Sequence, residues 1–260
     1  MKIGRCALCH DPNKDLQASH FLAAGFLRRL KGDGNGNRNP YLMSLNWVGQ
    51  TSKQAMQPLF CTECEDRLNA GGERWVIANG YNPQDGSFPL RERIMSAKTL
   101  FTGPRGGAYD ASQIPGIDIE KLVYFGASVI WRATIRSWRI QKEHYEQLPI
   151  ESKYGEELRC YLLGKATFPA NATSLVYVSA SRVPPLSAGY PERLQEESHV
   201  NYRFFVAGLW FLLVFGEELS DDIRKMCILR SPVHPLSQYT GADALVHAIE
   251  YNLYLENKAR

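Results

Sequence analysis

Two cysteine pairs, each with the spacing Cys-x-x-Cys, are the residues of this chain whose types and spacing most directly predict chemistry. They are Cys6-Ala-Leu-Cys9 and Cys61-Thr-Glu-Cys64. Two thiolates separated by two residues can reach one tetrahedral ion, and a second such pair completes a site of four sulfurs. The spacing therefore predicts that Cys6, Cys9, Cys61 and Cys64 bind one structural Zn²⁺. Four ordinary free thiols are the alternative reading.

The remaining cysteine usage favours reduced thiols over disulfides. Cys160 and Cys227 have no partners at a characteristic spacing, and no signal-peptide pattern opens the sequence. We therefore expect a cytoplasmic protein. The longest apolar run, residues 204–215, is shorter than the roughly 20 residues that a membrane-spanning helix needs. We expect it to lie in a protein core, and we expect no membrane partner.

A zinc ion with four sulfur ligands is closed to substrate, whereas catalytic zinc keeps an open position. The predicted zinc would therefore hold neighbouring side chains in place, and any reacting group must come from the residues around it. Ser19-His20 lies between the two cysteine pairs, and Glu65 follows the second pair directly. An imidazole titrates near neutral pH and a carboxylate binds hard cations, so both suit acid–base or metal-assisted chemistry.

The order of these residues resembles the HNH nucleases that have a zinc-ribbon frame, the ββα-metal or treble-clef group. The matching elements are Cys6-Ala-Leu-Cys9, Ser19-His20 and Leu59-Phe60-Cys61-Thr-Glu-Cys64 with Glu65. The likeness covers roughly the first 75 residues, and its most specific part is the paired cysteine motif.

The resemblance implies a zinc-stabilised ββα-like module with a catalytic site for phosphodiester cleavage. His20 would be the general base that activates water, and Glu65 would be a ligand of a catalytic Mg²⁺ or Mn²⁺. In the family the residue before this His is usually Asp or His, where this chain has Ser19. The residue after the second pair is usually His or Asn. Asn46 and Gln50 are two candidates for the family's orienting Asn. The resemblance also implies a setting in anti-phage defence.

The residues alone leave other roles open for these side chains. His20 precedes an apolar segment and could be a structural histidine, while Glu65 could simply compensate the dipole in the first turn of a helix. The second hypothesis is therefore a non-catalytic zinc module that binds nucleic acid or a protein partner, with a homo-oligomer also open. A third is a sensor or toxin subunit whose C-terminal portion binds a small ligand.

Basic charge is concentrated in the cysteine-bearing part of the chain. Residues 1–110 contain 14 Lys+Arg and 10 Asp+Glu, a net charge of +4, whereas residues 111–260 contain 16 and 17, a net charge of −1. A helix predicted from residue 119 to about residue 141 would place Arg132, Arg136 and Arg139 on one face. These three arginines are candidate nucleic-acid-binding residues, with DNA favoured over RNA. A solvated helix face is the alternative.

Hydrophobic periodicity predicts an α+β protein in two parts. Residues 1–115 would form the zinc-bound HNH-like module with a linker, and residues 116–260 a mixed helical and β portion for recognition or regulation. Helices are predicted at residues 21–30, 63–68, 73–79, 119–141, 151–163, 221–226 and 241–256. The second of these is predicted to end before Gly71-Gly72, and Asp118 is predicted to cap the helix that starts at residue 119. Residues 41–48 and 56–60 are predicted to form a pair of strands, and residues 174–179 a single strand. Residues 200–215 could form one long helix, but their aromatic and β-branched residues favour two strands broken at Gly208. Residues 32–40 are predicted to form a mobile loop. The segment between the Gly-, Pro- and Asp-rich stretches 82–86 and 102–107 is predicted to be a linker-like connection.

Overall fold

The computed structural model describes residues 2–31, 39–44, 47–51, 53–103, 106–140, 143–181, 187–231 and 235–239. These residues form a mixed α+β structure, as the sequence predicts. The predicted loop at 32–40 falls largely outside the described residues, and the predicted helix at 241–256 falls entirely outside them. No helix among the described residues is long and apolar enough to cross a membrane.

Six of the seven helices among the described residues lie before residue 163, and the seventh follows the last long hairpin. They are α1 (Ala24–Leu30), α2 (Thr62–Leu68), α3 (Arg74–Asn79), α4 (Pro89–Met95), α5 (Ile119–Ile135), α6 (Ser152–Leu162) and α7 (Asp221–Lys225). A π-helical turn, Asn69–Glu73, joins α2 directly to α3, and a short 3₁₀ turn, Ala111–Gln113, precedes α5. The side chain of Asp118 accepts a hydrogen bond from the backbone N–H of Lys121 and so caps α5, as predicted.

The strands form one small sheet, one large sheet and one short hairpin. They are β1 (Lys2–Gly4), β2 (Lys14–His20), β3 (Tyr41–Ser44), β4 (Trp47–Gln50), β5 (Met56–Cys61), β6 (Thr99–Gly103), β7 (Gly106–Asp110), β8 (Trp138–Ile140), β9 (Glu143–Tyr145), β10 (Ala172–Ser179), β11 (Ser187–Gly189), β12 (Glu192–Gln195), β13 (Val200–Val206), β14 (Leu209–Phe215) and β15 (Pro235–Tyr239).

The small sheet has the order β1-β2-β5, and all its strands are antiparallel. Its central strand, β2, was not predicted, because the turn residues Asp11–Asp15 obscured a strand that starts at Lys14. The predicted pairing of residues 41–48 with 56–60 is wrong. β5 pairs with β2 instead, and β3 pairs antiparallel with β4 in the large sheet.

The large sheet has ten strands, with β4-β3-β11-β13-β14-β10-β15-β7-β6 as its main path and β12 beside β13. The predicted hairpin within residues 200–215 is confirmed: Ala207 and Gly208 both have positive φ, which suits a tight turn between antiparallel strands. The predicted strand near 174–179 is confirmed as β10. Strands from both sides of residue 115 share this sheet, so the division at 115 stays a prediction and does not follow the sheet boundary.

Helix α5 is the central element of the hydrophobic core. Its side chain Phe125 packs edge-on against Phe211 of β14 with ring centroids 5.2 Å apart. Further along α5, Trp131 stacks on Phe60 of β5 at 5.9 Å. One helix therefore contacts both the large sheet and the small sheet. Burying each such aromatic side chain contributes about 1.5–3 kcal/mol relative to exposure, so α5 fixes the two sheets against each other.

The turn between α2 and α3 comes unusually close to α5. A Cβ atom added at Gly72 would lie 2.6 Å from the backbone oxygen of Lys121 and 2.8 Å from the backbone nitrogen of Phe125. A Cβ at Gly71 would lie 2.4 Å from the ring of Tyr124. The predicted end of a helix before Gly71-Gly72 is therefore wrong: the glycines permit close helix packing, and the helical backbone continues through the π turn.

We expect Gly72→Ala to lower the free energy of unfolding by about 1–3 kcal/mol, because the added methyl group meets backbone atoms that cannot move independently. The matched control is Gly155→Ala in α6, where the new Cβ would lie 3.4 Å from Ile150, an ordinary contact. That control is expected to leave the stability unchanged or to raise it, since alanine favours helix. Urea unfolding of both variants measures the difference, and equal stabilities would disprove the packing argument.

Two further predictions are corrected by the described elements. The helix predicted for 119–141 ends at Ile135, and the hairpin β8–β9 follows it. The segment predicted as a linker, between residues 82–86 and 102–107, contains α4 and the start of the β6–β7 hairpin. The helices predicted near 151–163 and 221–226 are confirmed as α6 and α7.

Candidate metal centre and adjoining polar cluster

The four cysteines of the two Cys-x-x-Cys motifs come together in the structure. The Sγ atoms of Cys6, Cys9, Cys61 and Cys64 all lie within 4.8 Å of one another. The Sγ atoms of Cys9 and Cys61 are 4.0 Å apart. A tetrahedral zinc ion with Zn–S distances of about 2.3 Å holds its sulfurs about 3.8 Å apart. The cluster is therefore compatible with structural zinc, and small movements would close it around the ion.

Each cysteine pair sits where the backbone changes direction. Cys6 and Cys9 lie in a tight turn in which the N–H of His10 donates to the carbonyl of Cys6 at 2.9 Å. His10 itself has φ of 66°, in the left-handed region. Cys61 ends β5 and caps α2, and Cys64 lies in the first turn of that helix. A helix N-terminus favours negative charge, which suits thiolate ligands.

Hydrogen bonds within the cluster make its thiols unequal. The thiol of Cys64 donates to the sulfur of Cys6 and, with backbone N–H donors, lowers the pKa of Cys6 to about 4. Burial raises the pKa of Cys61 to about 12. The same bond to Cys6, together with burial, raises the pKa of Cys64. Because zinc binds thiolates, ion binding must release protons from this cluster.

An arginine of helix α6 forms a hydrogen bond with the turn that contains Cys6 and Cys9. The guanidinium Nη1 of Arg159 donates to the carbonyl of Leu8 at 2.7 Å, inside the Cys6–Cys9 turn. Arg159 is held in place by Glu156, one turn earlier, through contacts of 2.7 and 2.5 Å. A bidentate pair of this kind fixes the direction of the guanidinium. The turn is thus anchored by a residue 151 positions further along the chain.

Ser19 and Glu65 meet on the inner side of the small sheet. Ser19 is 1% exposed, and its Oγ accepts a hydrogen bond from the backbone N–H of Phe60 at 3.1 Å. The hydroxyl donates to the carbonyl of Gln17 at 3.4 Å and lies close enough to the carboxylate of Glu65 to lower the pKa of that group. Burial nevertheless raises the pKa of Glu65, and its Oε1 atom is buried without a partner among the described residues. One carboxylate oxygen is therefore left to bind a cation or a water molecule.

His20 lies at the end of β2 and is half buried. Burial lowers its pKa, the positive charges of Arg132 and Arg28 act in the same direction, and Glu73 opposes them. The ring is therefore neutral at pH 7, the protonation state that a general base requires. Its backbone partner across the sheet is Met56, which is 54% exposed, so His20 borders the protein surface.

A buried ion pair lies beside both His20 and Glu65. Arg132 of α5 is 1% exposed and forms an ion pair with Glu73 in the π turn. Its Nη1 donates to the carbonyl of Phe21 at 3.1 Å. The Arg132–Glu73 pair also acts electrostatically on Glu65. The sequence prediction missed Glu73 as a site residue.

The π turn explains how Glu73 reaches the same side of the helix as Glu65. In a straight α-helix, residues eight positions apart are rotated by about 80° around the axis. The extra residue of a π turn reduces that angle and brings the two carboxylates toward one face. The turn itself depends on Gly71-Gly72, which let α5 approach closely enough for Arg132 to reach Glu73.

The prediction that Arg132, Arg136 and Arg139 lie on one face of a helix is wrong. Because α5 ends at Ile135, Arg132, Arg136 and Arg139 do not share a helix face, and Arg132 is buried. Arg136 and Arg139 are exposed, in the loop after α5 and in β8. Gln57 of β5 donates to the carbonyl of Ser137 at 3.2 Å, which places this loop beside the strand end that carries His20.

A further exposed arginine borders the same surface. Arg28 lies near the end of α1, close enough to His20 to lower the pKa of that imidazole. Arg28 therefore supplies positive charge beside His20, and Arg136 adds a second exposed charge in the loop that Gln57 joins to the same strand end. Of the two candidates for an orienting amide, Asn46 lies outside the described residues, as does the side chain of Gln50.

The described residues thus combine a four-sulfur cluster that could hold a metal ion with an imidazole, an incompletely paired carboxylate and a buried ion pair. One buried arginine in an otherwise apolar helix was the available signal for the ion pair, since arginine is seldom fully buried without a partner. Its partner, 59 residues earlier, has no local signal. Compared with family models, with curated proteins and with solved structures, the chain has no match in any of the three.

Proposed function

We propose that this protein is a metal-dependent nuclease whose zinc-framed module presents His20 to a phosphodiester, with DNA as the favoured substrate. The observation that carries the proposal is the proximity of Ser19 to Glu65 beside the four-cysteine cluster. Ser19 is the residue before His20, and Glu65 is the residue after the second cysteine pair. These are the two positions that hold the catalytic cation in the HNH nucleases that the sequence resembles.

The order of elements supports assignment to the treble-clef group. A cysteine turn is followed by β2, then by β5 with the second cysteine pair, and then by α2. This gives two antiparallel strands and a helix around the four-sulfur cluster, the ββα arrangement that the resemblance implies. His20 ends the first of these strands and Glu65 lies in the helix.

The donor atoms beside His20 fit a hard divalent cation in a limited way. Glu65 offers one buried oxygen without a partner, whereas the Ser19 hydroxyl is already engaged. Mg²⁺ usually keeps several waters and is held by one or two carboxylates together with substrate phosphates. A Mg²⁺ or Mn²⁺ ion held by Glu65 would polarise the phosphoryl oxygen and stabilise the leaving group.

The chemistry assigned to the chain's own residues is general-base catalysis. Neutral His20 takes a proton from a water molecule, and the resulting hydroxide attacks phosphorus. The bond from phosphorus to the leaving oxygen then breaks, and that oxygen takes a proton from solvent. Because burial keeps the pKa of His20 low, the ring is ready to accept a proton at neutral pH.

A second candidate function is a zinc module that binds nucleic acid or a protein partner without cleaving. The observation that favours it is the engagement of Ser19: its side chain is 1% exposed and already accepts from Phe60. Arg132 adds a positive charge near Glu65, which opposes binding of a second cation there. If the protein is a non-catalytic zinc module, the role of Glu65 is structural.

One assay separates the two functions. Purified full-length protein with its zinc retained is incubated with supercoiled plasmid and Mg²⁺ or Mn²⁺. A nuclease converts the plasmid to open-circular or linear forms and stops when the added cation is withheld. A binding module retards the plasmid in a gel without changing its topology. Glu65→Gln should reduce cleavage at low cation concentration more than at saturating concentration, because it removes a cation ligand.

We expect Arg28→Gln combined with Arg136→Gln to weaken binding to DNA and to lower its salt dependence. The slope of log K against log [salt] should fall in magnitude by about 0.9 for each phosphate contact that is lost. The matched control is Arg224→Gln with Lys225→Gln on α7, which removes equal charge from a helix packed against β10. Fluorescence anisotropy at several salt concentrations measures both. If the slope of log K against log [salt] is the same for both double variants, Arg28 and Arg136 do not contact the DNA backbone.

A further inference from the structure

We propose that the buried Arg132–Glu73 pair is the device that sets the position of His20 relative to Glu65, and that α5 thereby completes a site otherwise built from the first 75 residues. The inference rests on the proposed function for its catalytic readout. It assigns to Arg132 and Glu73 a positioning role, since neither side chain is placed to contact substrate.

The contacts of Arg132 reach each part of the site. Its Nη1 donates to the carbonyl of Phe21, the residue directly after His20, at 3.1 Å. Its Nη2 is paired with Glu73, which is joined through the π turn to the helix that carries Glu65. Its guanidinium carbon lies 5.7 Å from the ring centroid of Phe60, the residue before the second cysteine pair.

The local structure around Arg132 is built to hold this geometry. The indole N–H of Trp138 donates to the carbonyl of Arg132 at 3.1 Å, so the end of α5 is tied to β8. Trp138 in turn packs edge-on against Phe21 at 5.2 Å. Phe21, the residue directly after His20, is therefore held in two ways: its carbonyl accepts a hydrogen bond from Arg132, and its ring packs against Trp138.

An apolar pair could fill the same space without loss of stability. Replacing a buried ion pair with well-packed apolar residues is often neutral or stabilising, so stability alone does not account for Arg132 and Glu73. A guanidinium offers several N–H donors in one rigid plane and can bind a carboxylate and a carbonyl together. A lysine has three N–H donors on a single nitrogen, so it cannot reproduce two contacts made by separate nitrogens of one rigid plane, and an apolar side chain has no donor. The chemistry of arginine is therefore matched to joining the strand end to the helix.

The test compares variants of the full-length, zinc-bound protein. Arg132→Lys keeps the charge and removes the planar donor group. The double variant Arg132→Met with Glu73→Met removes both charges, so neither is left buried alone. The matched control is Arg203→Met with Glu192→Met, which removes an ion pair of 3.0 Å between β12 and β13. Zinc content and thermal unfolding show whether each variant is folded.

The expected result for Arg132→Lys is a folded protein that retains its zinc and has a lower kcat. Because loss of alignment by about 1 Å can cost about 100-fold in rate, kcat should fall by up to about 100-fold with KM unchanged. The His20 imidazole, followed by NMR titration, should move its pKa upward, since a loosened strand end admits water. The charges that face this ring are Glu73, Arg28 and the residue at 132, and all keep their sign in this variant.

The outcomes distinguish this inference from the nuclease proposal. If the wild-type protein cleaves nothing, the nuclease proposal fails, and the His20 titration still decides the positioning role. A folded Arg132→Lys protein with wild-type titration of His20 would overturn the inference, as would a folded double variant with wild-type kcat. If Arg132→Lys does not fold, the double variant is used alone. If the wild-type protein cleaves DNA, the kcat of the double variant is measured; if the wild-type protein does not cleave, hydrogen exchange of the backbone amides of residues 17–22 is measured instead. Faster exchange than in the control supports the inference, and equal exchange overturns it.

Discussion

Replacing Cys64 with serine is expected to abolish tight zinc binding and to unfold the small sheet with α2. Cys64 supplies one of four sulfurs and lies in the first turn of the helix that carries Glu65. Structural zinc sites contribute about 10–16 kcal/mol of binding free energy that is coupled to folding. Losing a ligand should therefore release the helix as well as the ion. Zinc content by mass spectrometry after dialysis, and the thermal unfolding profile, measure the two effects.

The control for this variant is Cys160→Ser. Cys160 lies outside the cluster, and its Sγ is 3.5 Å from a carboxylate oxygen of Glu156, a contact that a serine hydroxyl can replace. This control should keep one zinc ion per chain and a normal unfolding profile. A Cys64→Ser protein with full zinc content and unchanged stability would show that the four cysteines do not act as one site.

Replacing His20 with alanine is expected to remove nuclease activity while leaving DNA binding intact. A positioned general base contributes about 10²–10⁴-fold to rate, so the loss should fall in that range. Binding should persist, because the exposed arginines that would contact phosphate are unchanged. Single-turnover cleavage and anisotropy binding, measured on the same preparation, separate the two quantities.

The control is His144→Ala, since His144 is exposed in the β8–β9 hairpin. It should cleave at the wild-type rate. If His20→Ala cleaves as fast as the wild type, the assignment of the base is wrong, even if the protein is a nuclease.

The pH profile gives an independent check on His20. Burial, with Arg132 and Arg28 in support and Glu73 in opposition, holds the pKa of His20 below its ordinary value of 6.5. The imidazole therefore stays neutral to lower pH than a free histidine, and the acid limb of kcat/KM should lie below pH 6.5. Because the unfolded chain takes up this proton more readily, the contribution of His20 to stability is complete above pH 6.5 and declines as the pH falls.

The four-cysteine cluster could be predicted from the sequence because its signal is local. Two Cys-x-x-Cys motifs need only come together for the cluster to form, and they do so at the turn before β2 and at the β5–α2 junction. The hairpin β13–β14 and the helix α5 were also predictable. The first has β-branched and aromatic residues on both sides of Gly208, and the second has an apolar run after a capping Asp118.

The contacts that complete the candidate site depend on residues far apart in the chain. Glu73 and Arg132 are 59 positions apart, and nothing near either residue specifies the other. The π turn was missed because Gly71-Gly72 usually suggests a helix end, and only the approach of α5 explains why glycine is needed there. Strand β2 was missed because turn-forming residues at 11–15 precede it, and its pairing with β5 is set by the sulfur cluster rather than by a hairpin loop.

The prediction that three arginines share one helix face was wrong for a different reason. An arginine periodicity of i, i+4 and i+7 predicts one face only if the helix continues, and here the backbone leaves the helix after Ile135. Arg132 then points into the core, and Arg136 and Arg139 are carried by irregular and β structure. The spacing of charged residues along a sequence does not specify the residue at which a helix ends.

The most direct test of the central claim is X-ray absorption at the zinc edge on purified, metal-replete protein. The claim is that Cys6, Cys9, Cys61 and Cys64 hold one zinc ion and thereby fix β2, β5 and α2 around His20 and Glu65. The account predicts one zinc per chain with four sulfur neighbours at about 2.3 Å. A spectrum with nitrogen or oxygen ligands in place of sulfur, or a folded protein that retains no zinc, would contradict it.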